Sequence, residues 1–166
     1  GRLEESEVEG KQAVQLFSGH SGAEHPETAA AIGRYATVIQ KQGDVAKAEL
    51  LFEHTIKLLK KSDPLHVRIL DQVRNQATCL MAMGRPSEAA KILVDHGRIY
   101  TERDEGPLYK SRFYLILAKS ISAHGSRPRE ALAMAQQAKQ TIQSTQLDPA
   151  VLHETNSLIE SIRCTL

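Results

Sequence analysis

Residues 22–59 read GAEHPETAAAIGRYATVIQKQGDVAKAELLFEHTIKLL. The stretch describes one helical hairpin. His25-Pro26 opens the first helix, because proline lacks an N–H at the position where a helix has no acceptor for it. Gly43-Asp44 breaks the chain between two segments whose apolar residues recur at helical spacing. Ala36 and Ala48 are small where the two helices would have to approach closely. A hairpin of this kind cannot bury both faces alone, so the stretch calls for a neighbour built on the same plan.

The sequence supplies one. Ala36 and Gly43, Ala77 and Gly84, and Ala118 and Gly125 form three pairs with the same internal spacing, and the pairs recur every 41 residues. A further small residue follows each glycine: Ala48, Ala89 and, one place later, Ala131, as if a residue were inserted within Ser126-Arg127-Pro128. The pattern Ala-x6-Gly-x(4,5)-Ala divides the chain into an N-terminal helix and loop (1–21), three hairpins (22–61, 62–105 and 106–146) and a last helix (147–166).

Working outward from the first hairpin, helical periodicity predicts helices over about 2–17, 26–41, 44–60, 64–83, 86–102, 107–123, 127–144 and 149–165, eight in all. Residues 18–24 read as a Gly/Ser-rich loop, and Asp63 reads as the N-cap of the fourth helix. The inward positions are Ala29, Ile32, Ala36 and Ile39; Val45, Ala48, Leu51, Phe52 and Leu59; Val67, Leu70, Val73, Ala77 and Leu80; Ala89, Ile92, Leu93 and Ile99; Tyr114, Leu117, Ala118 and Ile121; and Leu152, Leu158, Ile159 and Ile162. Ala131, Ala133, Ala135 and Ala138 would let a neighbour pack close. Gly97 lies inside the fifth helix and weakens it by something under ~1 kcal/mol relative to Ala. No strand-like alternation is present. The fold class is therefore all-α, with an extra N-terminal helix and a C-terminal capping helix whose polar outer face stops the stacking.

Composition narrows the function classes. Lys and Arg (21) balance Asp and Glu (20), which argues against a nucleic-acid binder with its basic surplus. No apolar run is long enough to span a bilayer and no charged-then-apolar leader opens the chain. These features favour an intracellular soluble protein. Aromatic residues make up only 4%, so the core is built from Ala, Leu, Ile and Val.

The hairpin pattern resembles the tetratricopeptide repeat (TPR) family, and more closely its kinesin-light-chain variety of roughly 42 residues per repeat. The residues that carry the match are Gly22-Ala23-Glu24-His25-Pro26-Glu27-Thr28-Ala29, Tyr35-Ala36, Gly43-Asp44, Ala48-Glu49, Leu51-Phe52 and Ile56. The second and third copies keep the small residues but replace His25-Pro26 by Asp63-Pro64 and Gly106-Pro107. The resemblance covers most of 22–144 and implies a right-handed α-solenoid of about three hairpins. It also implies a concave groove, lined by the first helix of each hairpin, that receives a peptide or helix of a partner protein. By register the groove positions are Ala30, Gly33, Thr37, Gln40 and Lys41; Asp71, Arg74, Thr78 and Met81; and Arg112, Leu115, Lys119 and Ser122. The partner-binding candidates among them are Thr37, Gln40, Lys41, Asp71, Arg74, Thr78, Met81, Arg112, Leu115 and Lys119. One subclass of the family binds chaperone C-termini. Of its five groove positions only Asn75 and Arg112 are suitable here, whereas Gly33, Thr37 and Ile116 are not.

Catalytic and metal chemistry find no footing. His20 and His25 flank a loop without metal-ligand spacing, and His54, His66, His96, His124 and His153 are scattered. Gly19-His20-Ser21-Gly22 lacks the strand, lysine and spacing of a phosphate loop. Cys79 and Cys164 stand alone and read as reduced, packed thiols. Glu4, Glu5, Glu7 and Glu9 read as a solvated helix face. One constellation stands out: Arg68, Arg74, Arg112 and Lys119 on the first helices of adjacent hairpins, a basic stripe suited to an acidic partner segment. The expectation is a non-enzymatic protein–protein interaction module, an adaptor or regulatory domain without cofactor, metal or nucleic-acid partner. The alternatives are a ligand- or peptide-responsive sensor, which would need a closed pocket, and an RNA-binding solenoid, which would need a 35-residue period and a basic surface.

Overall fold

A computed structural model describes residues 1–102, 106–143 and 148–166, with the side chains of 100–102 left aside. The described residues form nine helices and no strand. They group into two compact units, Gly1–Gly84 and Arg85–Leu166. The division falls within the second of the expected hairpins. The expected boundaries at 105 and 146 and the helix end at Ser144 lie outside the described residues.

In the first unit, α1 (Arg2–Ser21), α2 (Pro26–Lys41), α3 (Val45–Ser62) and α4 (Arg68–Ala82) pack in chain order, and α4 also touches α2. The residues expected to face inward on α2 are all buried, as are Ala48, Phe52 and Leu59 on α3 and Leu70, Val73, Ala77 and Leu80 on α4. The fully buried Phe52 side chain contributes roughly 1.5–3 kcal/mol by its transfer from water. Each hairpin glycine has a left-handed backbone: φ is 92° at Gly43, 72° at Gly84 and 75° at Gly125. A side chain there would be strained, which explains why glycine recurs. Asp44 Oδ1 accepts from the Lys47 N–H at 3.1 Å and caps α3. His25 Nδ1 accepts from the Glu27 N–H at 3.3 Å at the start of α2.

Two helix bounds in the first unit depart from expectation. Residues 18–21 are helical, not loop, and α1 ends only at Gly22, whose φ of 97° no neighbouring residue would adopt readily. Helix α4 starts at Arg68 rather than Pro64. The Asp63 carboxylate is used locally, accepting from the Leu65 N–H at 2.9 Å, so residues 64–67 form a turn and Val67 stays exposed. Helix α1 holds no fully buried residue and gives only Val14 to the core around Phe52. It approaches α2 closely at Gly10, where a Cβ would lie 2.9 Å from Tyr35 Cδ2.

The second unit contains α5 (Pro86–Asp95), α6 (Gly97–Glu102), α7 (Gly106–His124), α8 (Pro128–Gln143) and α9 (Pro149–Arg163). The sequence predicts one helix over 86–102, and the structure breaks it at His96. His96 Nδ1 sits 2.7 Å from the Ile92 carbonyl oxygen, the acceptor that the residue-96 amide would use in a continuous helix. Gly97 follows, with the lowest helix propensity short of proline. Helix α7 touches α5, α8 and α9. It therefore buries residues around most of its circumference, including Phe113, Leu115, Leu117, Ala118 and Ile121, while the expected Tyr114 is half-buried. Ala131, Ala135 and Ala138 of α8 are fully buried, whereas Ala133 is exposed. Three buried hydroxyls are satisfied within their own helices: Thr55, Ser120 and Thr155 donate to the carbonyl four residues back at 2.6–2.8 Å. The entry to the second helix repeats as well. Arg85 grips Glu88 through two bonds of 2.6 and 2.7 Å, and Arg127 pairs with Glu130 at 3.0 Å, each pair bracketing a helix-opening proline.

Candidate functional site

The candidate residues on α2 and α4 belong to the first unit. Thr37 and Gln40 are half-buried and Lys41 is exposed. The Thr37 hydroxyl donates to the Gly33 carbonyl at 3.0 Å, and the Thr78 hydroxyl to that of Arg74 at 2.9 Å, so both hydroxyls are occupied along their own helices. Asp71 and Arg74 pair on one face of α4 at 2.9 Å, one turn apart. Met81 is half-buried nearby in sequence on the same helix.

Gly33, expected as open groove surface, is buried. The Gln72 side chain fills the space in front of it, and a Cβ at position 33 would lie 2.5 Å from Gln72 Oε1. That oxygen is buried without a hydrogen-bond partner. Behind this face runs a buried polar contact, in which Gln76 Nε2 donates to Glu49 Oε1 at 2.7 Å between α4 and α3. Burial, and then the Glu49 charge, push the Cys79 thiol up to about 11. Cys79 is thus a protonated core group at neutral pH and not a nucleophile. Gln72 and Gln76 were not singled out from sequence, and Glu49 entered only through the Ala48-Glu49 pair of the repeat pattern, with no role assigned to its carboxylate.

In the second unit the candidates are Arg112, Leu115 and Lys119 on α7. Leu115 is 3% exposed and packs in the core, so it offers no surface to a partner. Register alone misplaces it because α7 is covered on more sides than a hairpin's first helix would be by its own partner. Arg112 and Lys119 lie seven residues apart, and both reach to α9. Arg112 Nη2 donates to Asp148 Oδ2 at 2.9 Å. The same carboxylate caps α9 through Oδ1, accepting from the Ala150 and Val151 N–H groups at 3.1 and 3.3 Å. The Arg112 hydrogen bond, aided by the Val151 amide, holds the Asp148 carboxyl below its usual range. Lys119 Nζ pairs with Glu154 Oε1.

The expected basic stripe is therefore largely neutralised from within. Arg74, Arg112 and Lys119 each hold a carboxylate of their own unit, and Arg68 is exposed at the start of α4. Among the described residues no three His, Cys, Asp or Glu side chains converge in a way that could hold a metal ion. None of the described helices is long and apolar enough to cross a membrane.

The chain has the fold of an all-α solenoid of TPR-like repeats. A structure of kinesin light chain nearly identical TPR-like repeats from Podosopora anserina superposes with a TM-score of 0.74 at 22% identity, covering 99% of this chain and 87% of that one. A single-substitution variant of that protein gives 0.75 at 23% identity over 99% and 86%. BtubC from P. vanneervenii is more distant, at 0.58 and 16% identity over 99% and 84%. No protein-family model and no curated protein matches the sequence.

Proposed function

We propose that the chain is a non-enzymatic interaction module that holds a segment of another protein on the first helices of its hairpins. In the second unit the segment would be acidic. The observation that carries this reading is the pairing of α7 with α9. Two cations seven residues apart on α7 accept two carboxylates six residues apart at the start and middle of another helix. An acidic helix is thus a chemically suitable occupant of this face. In the first unit Thr37, Gln40, Lys41, Asp71, Arg74, Thr78 and Met81 would provide the contact. They combine side-chain amide, aliphatic and charged surface around a fully buried core.

The test is capture of partners from a source extract by the wild-type chain and by the charge-reversed Arg74→Glu/Lys119→Glu chain, with circular dichroism to confirm that both are folded. A partner retained by the wild type and lost by the variant is the expected result. Equal recovery of every bound protein by two folded chains overturns the reading.

A further inference from the structure

The two carboxylates that α9 presents to α7 are held differently. Asp148 is fixed by three hydrogen bonds, from Arg112 Nη2 and from the Ala150 and Val151 amides, and its side chain is 20% exposed. Removing it from Arg112 would disturb the first turn of α9. Glu154 lies mid-helix, is 51% exposed and pairs with Lys119, itself 36% exposed. Swinging Glu154 away needs only a change of side-chain rotamer, without loss of a cap or of buried area. A better-placed carboxylate can therefore replace Glu154 at Lys119, whereas the Asp148 carboxylate is held beside Arg112 by the two amides that it also caps.

We propose that Glu154 is an internal gate on Lys119: it occupies the ammonium in the partner-free protein, and a carboxylate of the incoming segment displaces it. Arg112 and Asp148 stay joined and hold α9 in place. This inference rests on the reading that α7 receives an acidic segment, and adds that the chain competes with its own partner. A consequence is that an isosteric neutral residue at 154 strengthens capture.

The probe is a fluorescein-labelled, alanine-based helical peptide of about 16 residues, long enough to keep some helix in water, with glutamates along one face. Its lysine counterpart is the charge control. Fluorescence anisotropy at low salt is measured with wild type, Glu154→Gln, Lys119→Gln and the double variant, each checked by thermal melting. The expected result is that Glu154→Gln binds the acidic peptide about two- to fivefold tighter, the range that an exposed ion pair corresponds to. Lys119→Gln should bind more weakly, and the double variant should show no gain over it. Equal affinities of wild type and Glu154→Gln, with Lys119→Gln weakened, overturn the gate but leave the acidic face standing. If wild type and Lys119→Gln bind alike, if neither binds, or if the lysine peptide binds as well, the acidic-face reading itself fails and the gate falls with it.

Discussion

The two units use the first helix of a hairpin in opposite ways. On α4 of the first unit, the polar residues are taken along the helix or in the core: Arg74 by Asp71 one turn away, and Gln76 by the buried Glu49 of α3. On α7 of the second unit they reach outward to a different helix, Arg112 to Asp148 and Lys119 to Glu154. The difference teaches that groove register identifies a face but not whether its charges are free. In the first unit the polar network supports the core, so breaking it should destabilise the fold. In the second it ties down α9 from the surface, so breaking it should have gentler and pH-dependent consequences.

The largest effect is expected at the buried contact. Gln76→Leu leaves the Glu49 carboxylate, 9% exposed, facing an apolar side chain in place of a donor at 2.7 Å. Stranding a buried acceptor costs about 1–3 kcal/mol. Urea denaturation should show that loss, with hydrogen-exchange protection falling within residues 1–84 first. Replacing both partners, Glu49→Leu with Gln76→Leu, should recover most of it, since two apolar groups need no hydrogen bond. If the single variant melts like wild type, the contact does not support the core.

A smaller effect is expected at Asp148. Asparagine caps a helix about as well as aspartate, so Asp148→Asn isolates the charge held by Arg112. The folded carboxyl titrates below its ordinary value of 3.8. A lowered folded value means that the stabilisation is fully present above the ordinary value and is lost as pH falls through the folded one. The variant should therefore melt earlier than wild type at neutral pH, and the gap should close progressively below about pH 3.8. Comparing the two chains also removes the contribution of Glu7, held low in the first unit mainly by the Lys11 hydrogen bond. A gap that stays constant down to acid pH would show that the Arg112 pair carries no linkage.

What could be read from the chain beforehand is local. The recurrence of Ala36, Gly43 and Ala48 reports close helix approach and a left-handed turn, both decided within a few residues, and the buried alanines and the φ of 92° at Gly43 agree with it. The late start of α4 was less accessible, because Asp63 could cap either a helix or the turn it does cap. The occupants of Arg112 and Lys119 could not be read at all. Asp148 lies 36 residues from Arg112, and Glu154 lies 35 from Lys119, on a helix whose polar surface suggested only an end cap. Leu115 shows the same limit for packing, since its burial depends on how many helices surround α7.

The smallest effect, and the one whose sign separates packing from function, belongs to Gly33. In most helix contacts a buried glycine marks a place where a methyl group cannot fit. Here the obstacle is the far end of a flexible side chain: Gln72 Oε1, Cδ and Nε2 would lie 2.5, 2.9 and 3.0 Å from an added Cβ. The Gln72 oxygen has no hydrogen-bond partner where it sits, so moving the amide into water gives up no hydrogen bond at that atom and restores its hydration. Alanine also relieves the backbone entropy cost of glycine in a helix, roughly 0.5–1 kcal/mol. Against these gains stand the displaced contacts of one amide. Gly33→Ala should therefore leave the melting temperature unchanged or slightly raised, and a methyl nuclear Overhauser contact from residue 33 should report Gln72 in its new position. A clear loss of stability would mean that the Gln72 amide is held where it is, and that the face of α2 at this point is closed by design of the core rather than available to a partner.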